Sequence, residues 1–184
     1  MNTPIVRISL LLTVFAFCFC AGAQKPGKDL QVVLIRHAEK PEYGDDLTCQ
    51  GVNRSRALPE VLYAKFGLPA VIYVPSVEGK KANKHERMTQ TIAPFADKYH
   101  LSLNHDFGVD DPKSLAREIL QQKGTVLVVW EHKRLPDIAR ELGVEDKLKW
   151  PDGDFDSIWI IRIHKGRVSL VRDQEGLRPS TICP

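Results

Sequence analysis

Apolar residues in this chain fall into short unbroken runs, separated by longer segments in which they recur every three or four positions. The clearest runs are residues 30–34 (LQVVL) and 125–130 (TVLVVW), with residues 70–74 (AVIYV) a third. Runs of this length, rich in Val, Leu and Ile, predict strands buried on both faces of a parallel sheet. After the first run, Ala57, Leu58, Val61, Leu62 and Phe66 recur at helical spacing, with Thr48 as a cap and Gly67 as a stop. Pro59 falls inside this segment and predicts either a kink or the true start of the helix. Further helices are predicted over residues 87–99, with Pro94 inside, over 113–122, closed by Gly124, and over 135–142, closed by Gly143. A brief strand is predicted at 101–103. Alternating strands and helices predict an α/β fold, a three-layer sandwich whose mostly parallel central sheet is flanked by helices. The tail departs from this pattern, because residues 157–163 and 167–171 are β-rich around His164-Lys165-Gly166. They predict a C-terminal β-hairpin at the sheet edge.

The first residues carry Arg7, an apolar block over 8–20 and then Ala21-Gly22-Ala23. That order of parts predicts a signal peptide over residues 1–23, cleaved after Ala23. The block is shorter than the roughly 20 residues a membrane helix needs, which leaves an uncleaved anchor as the alternative. The expected mature chain is a single domain over residues 24–184, periplasmic or secreted. No later stretch is apolar enough to span a membrane. A net charge of +3 gives no case for a nucleic-acid partner. Cys49 and Cys183 remain after cleavage, and in an oxidising compartment they are candidates for a disulfide, with two separate thiols as the alternative. No paired CxxC spacing points to a metal.

The first strand ends in Arg36-His37 and the strongest later strand in Glu131-His132. If the two are parallel neighbours, both imidazoles stand at the carboxyl rim of the sheet, where ligands bind in open α/β folds. Arg87 opens a predicted helix after another strand and its loop, so it reaches the same rim with the backbone donors of a helix start. Two arginines and two histidines suit a tetrahedral dianion such as phosphate, since Arg offers paired N–H donors that Lys cannot match.

The segments LIRHAEKP, LTCQGVNRSRALPEVL, RMTQT and VLVVWEHKRLPDIARELG, in that order over about residues 30–143, resemble the histidine phosphatase superfamily, with its phosphoglycerate-mutase-like fold. Ala38 stands where Gly is commoner, and Ser55 where Ala is usual. The resemblance implies that His37 attacks phosphorus and becomes a phosphohistidine. Arg36, Arg87 and His132 would then hold the phosphoryl oxygens, with no metal or organic cofactor. It also implies an acid for the leaving oxygen: Asp106 is one candidate, and Glu131 the alternative, although strand alternation points Glu131 away from the pocket. Lys133 follows the second histidine where the acid-phosphatase branch has Asp. The Ser and Asn typical of mutases are missing, which argues against mutase activity. A neutral imidazole is a competent nucleophile, and nearby arginines are expected to keep His37 unprotonated.

The expected function is that of an exported phosphomonoesterase acting on a phosphorylated small molecule or envelope component, with a non-catalytic binder of phosphorylated ligands as the alternative. Other residues carry two readings each. Glu39 and Lys40 would line the pocket mouth or form an exposed ion pair. Lys80, Lys81, Lys84 and His85 would steer anions or be merely solvated. Arg54 is expected to be structural, Trp130 and Trp159 core, His100, His105 and His164 surface or turn residues, and Arg162, Arg167 and Arg172 solvent-facing.

Overall fold

In the computed structural model, which describes residues 29–77 and 82–184, strand β1 (Leu30–Arg36) is buried on both faces. The predicted signal segment 1–23, Lys80 and Lys81 lie outside the described residues, as does the side chain of Lys84. Alternation along β1 separates two cores: Val32 and Leu34 join one, Val33 and Ile35 the other. The chain continues through α1 (Cys49–Phe66), β2 (Val71–Tyr73), α2 (Ala82–Tyr99), β3 (Leu103–Asn104), α3 (Pro112–Ile119), β4 (Gly124–Trp130) and α4 (Leu135–Glu141). It ends in the hairpin β5 (Ser157–His164) and β6 (Arg167–Gln174). The strand order is β3-β2-β4-β1-β5-β6. The first four of these strands are parallel, β5 runs antiparallel to β1, and β6 closes the edge. Leu58 and Leu62 of α1 with Met88, Ile92 and Phe95 of α2 cover one face, while Leu115 and Ile119 of α3 with Leu135 and Ile138 of α4 cover the other. This is the predicted three-layer sandwich with its edge hairpin. Trp130 and Trp159 are core residues, and Arg162, Arg167 and Arg172 are exposed.

Several boundaries differ from the sequence reading, each for a local reason. Helix α1 begins at Cys49, where Thr48 Oγ1 accepts from Gly51 N at 3.1 Å, and it runs through Pro59 without stopping. A proline removes one backbone donor, and here the buried stripe of Leu58 and Leu62 keeps the helix on the sheet across that gap. Gly67, at φ 68°, ends it as expected. Helix α2 begins at Ala82, five residues before Arg87, so Arg87 sits in its second turn and the helix-start donors are elsewhere. Residues 82–86 (ANKHE) carry no apolar periodicity to announce them. The short strand is Leu103–Asn104, set by its pairing of Ile72 with Leu103 and Tyr73 with Asn104.

Cys49 and Cys183 are disulfide-bonded. Asn53 Nδ2 adds hydrogen bonds to the carbonyls of Ser180 and Ile182, both 2.8 Å, so the tail lies along α1. Among the described residues no helix is long and apolar enough to cross a membrane.

Candidate active site

Strands β1 and β4 pair in parallel with Arg36 opposite Trp130, so His37 and His132 leave the same end of the sheet. Their ring centroids are 6.5 Å apart at 75°. His37 is 3% exposed, and its Nδ1 donates to Ala38 O at 2.7 Å. A carbonyl oxygen only accepts, so this bond places the ring proton on Nδ1 and the lone pair on Nε2. The Ala38 peptide is held in turn: its N–H donates to Thr91 Oγ1 at 2.8 Å, and the Thr91 hydroxyl donates to Arg87 O at 2.7 Å. Burial pushes the His37 imidazole down to about 3, with the positive charges of Arg36, Arg87 and His132 adding to it and the Ala38 bond opposing. The arginines thus act in the expected direction, but burial is the larger cause.

Arg87 is buried, and it ties the 41–46 loop to the site by donating from Nε to Asp45 O at 2.9 Å and from Nη2 to Gly44 O. His132 is also buried. Its Nε2 bonds Asp152 Oδ1 at 3.1 Å, and among the described residues its buried Nδ1 has no hydrogen-bond partner. Burial, then Arg36, lowers its pKa against the pull of Asp152. Arg36 donates from Nη1 to the carbonyls of Asp152 (2.5 Å) and Asp154 (3.1 Å) and lies 3.9 Å from the Phe155 ring centroid. Its Nε is buried and, among the described residues, without a hydrogen-bond partner. Burial lowers its pKa to about 10, with Asp152 and Asp154 the chief opposing charges.

His37, Arg87 and His132 share a cavity of about 490 Å³ with Lys40, His85, Glu131, Lys133 and the ion-paired Asp110 and Arg134. Arg36 is not among the residues that line this cavity, and its guanidinium lies over the Phe155 ring. Three nitrogen-bearing groups around one cavity, with His37 a neutral imidazole, can hold an anion and offer it a nucleophile.

The two acid candidates part company. Glu131 lines the cavity, contrary to the alternation argument, because β4 ends at Trp130 and the chain turns there, with the N–H groups of Arg134 and Leu135 donating to Glu131 O. Asp106 is not brought to His37: it caps its own turn through Asn104, Nδ2 to Oδ2 at 2.8 Å, in a separate cleft with Asn104 and His105. Glu39 does not stand at the mouth either. It is buried against Arg54, while Lys40 lines the cavity and donates to Pro41 O.

The sequence reading missed Thr91, Asp152, Asp154 and Phe155. Thr91 was legible in principle, since it lies one helical turn beyond Arg87 and shares its face. The 152–155 loop was not, because a turn-rich Asp segment carries no sign of where it folds. Among the described residues no group of three or more His, Cys, Asp or Glu could hold a metal ion.

No protein-family model and no curated protein matches this sequence. Among solved structures, the chain is similar to the protein histidine phosphatase SixA in complex with tungstate, at 17% identity and TM-score 0.55 over 79% of this chain and 97% of that one. It is similar to a mycobacterial glucosyl-3-phosphoglycerate phosphatase in complex with inorganic phosphate, at 15% identity and TM-score 0.53 over 78% of this chain and 95% of that one. A third similar structure, from Agrobacterium tumefaciens and assigned as the phosphohistidine phosphatase SixA, has 15% identity and TM-score 0.54 over 85% of this chain and all of that one. The likeness extends over nearly the whole of each structure, and the fold of this chain is the phosphoglycerate-mutase-like fold of the histidine phosphatases.

Proposed function

We propose that this chain is an exported phosphomonoesterase that works through a phosphohistidine on His37. The observation that carries the reading is the His37 ring itself: buried, neutral, its Nδ1 proton committed to Ala38 O, and its other nitrogen left for a cavity it shares with Arg87 and His132. The Nε2 lone pair attacks phosphorus, and the bond from phosphorus to the leaving oxygen breaks. Positive charge from Arg36 and Arg87 and the His132 ring balances the charge on the phosphoryl oxygens. Catalysis of this kind is mostly positioning and electrostatics.

Glu131, when protonated, gives its proton to the leaving oxygen; it lines the cavity, while the other acidic side chain there, Asp110, is held by Arg134. Water then attacks the phosphohistidine, the phosphorus–nitrogen bond breaks, and inorganic phosphate leaves with the lone pair restored to Nε2. The carboxylate left on Glu131 takes the proton of that water.

Export rests on the pattern of residues 1–23, and N-terminal sequencing of the envelope fraction should begin at Gln24. Residues 24–184, purified, should release phosphate from an aryl monoester, and His37→Ala should lower turnover at least about 10³-fold while leaving the fold intact. Wild-type turnover in that variant would refute the mechanism.

A further inference from the structure

Beneath the His37 loop lies a cluster of charged side chains that takes no part in the chemistry above. Arg54 is 5% exposed, Glu39 9% and Glu175 5%. Arg54 grips Glu39 in a fork, Nη2 to Oε1 at 2.8 Å and Nε to both carboxylate oxygens at 3.0 Å. Its Nη1 donates to Asp156 Oδ1 at 3.2 Å and to Glu175 Oε2. Burial pulls the Arg54 pKa down, but Glu39 and Glu175 more than reverse this.

Two features tie this cluster to the nucleophile. Glu39 is the residue after Ala38, and its carbonyl accepts from Thr48 N at 2.9 Å and Thr48 Oγ1 at 3.3 Å. A Cβ on Gly51 would meet that carbonyl oxygen at 2.3 Å, so only glycine lets α1 come so close. In the other direction, Asp156 N donates to Asp154 Oδ1 at 3.0 Å, and Asp154 O is the acceptor for Arg36 Nη1. A continuous bonded path therefore runs from His37 through Ala38, Glu39, Arg54, Asp156 and Asp154 back to Arg36.

We propose that Arg54 and Glu39 are positioning residues, a fork that fixes the Ala38 peptide, and through it the His37 ring, against the loop that holds Arg36. The proposal rests on the phosphatase reading for its catalytic consequence, but the positioning itself does not. Stability alone gives little reason for such a pair, since well-packed apolar residues replace a buried ion pair at no loss or even a gain. A two-point fork does what apolar packing cannot: it fixes both distance and angle. Arg54→Lys keeps the charge and loses the fork, and Glu39→Gln keeps every heavy-atom position and loses the carboxylate.

Nitrogen NMR of the His37 ring reads the effect without any turnover. The wild-type ring should carry its proton on Nδ1 and stay neutral well below the usual imidazole range. In both variants the Nε2–H tautomer should appear and the titration should rise by about one unit or more toward 6.5. In parallel, kcat should fall about 10- to 100-fold with KM within about threefold, as expected when a reacting group is slightly misplaced. If Arg54→Lys does not fold, Glu39→Gln decides. A folded variant with the wild-type tautomer and titration overturns the proposal. A wild-type protein that forms no phosphoenzyme would overturn the phosphatase reading instead, and the NMR comparison would still decide the positioning.

Discussion

His37 and His132 leave adjacent parallel strands at the same end of the sheet and face one cavity, yet their surroundings differ. His37 has its Nδ1 fixed on the carbonyl of Ala38, a residue whose N–H is held by Thr91, which leaves one nitrogen with a lone pair of fixed direction. His132 is held at Nε2 by the Asp152 side chain, which is 85% exposed, and has no hydrogen-bond partner at Nδ1 among the described residues. Strand register supplies the position of each ring, while the hydrogen-bond partner of its ring nitrogen sets how firmly the ring is held. A ring locked by backbone suits a nucleophile; a ring held by a solvated carboxylate can change partner when a phosphoryl group arrives.

That contrast breaks most visibly if both histidines are replaced in turn. His37→Ala should abolish the covalent intermediate, whereas His132→Ala should slow turnover about 10²- to 10³-fold, as loss of one electrostatic donor does, and still form some intermediate. Equal loss of intermediate in both would erase the distinction. A smaller effect, about 10²-fold, is expected for Glu131→Gln on an alkyl phosphate. The loss should be less on an aryl phosphate, whose leaving group needs less help, and the ratio of the two rates measures this directly.

Stability sharpens the same comparison through pH. The folded His37 stays neutral down to about 3 against an ordinary 6.5. The unfolded chain therefore takes up a proton first, and stability falls as pH drops from about 6.5 toward 3. Glu175 works the other way. Burial raises its carboxyl from 4.5 to about 7 against the pull of Arg54, so its contribution is complete below 4.5 and is lost as pH rises through 7. Between 4.5 and 6.5 the two slopes offset one another. Glu175→Gln should remove the alkaline loss and be about 1–3 kcal/mol more stable than wild type at pH 8.5, with little difference at pH 4, as read from denaturant midpoints. The smallest effect should come from Asp152→Asn. An exposed pair is worth at most about 1 kcal/mol, so turnover should change less than about fivefold, while the His132 pKa drops further as the opposing charge is removed.

Much of the architecture could be read from the residues, because buried parallel strands are written as short, mostly apolar runs, and β1 and β4 are the longest of them. Strand ends account for Arg36, His37 and His132 standing at one end of the sheet, whereas Arg87 reaches the cavity from the second turn of α2 and Arg36 does not line it. What escaped has physical causes. Helix α2 starts in residues 82–86 (ANKHE), which carry no apolar periodicity, and Pro59, which predicts a kink or a helix start, lies inside α1 because packing overrides the one bond it removes. Glu131 was misdirected by extending strand alternation one residue past the strand. Asp106 was chosen by its place in a family pattern, and its own turn with Asn104 keeps it in another cleft. Arg54 did leave a trace: it shares the i, i+4, i+8 stripe with Leu58 and Leu62, so an arginine stood on the buried face of α1. Its partner Glu175 lies 121 residues further on, beyond any local signal.

The covalent intermediate is the most direct test of the account. Wild-type protein mixed with a phosphorus-labelled aryl phosphate and quenched within milliseconds should carry label that is lost in acid, survives alkali and maps to a peptide containing His37. Absence of label during active turnover, or label on any other residue, would contradict the account.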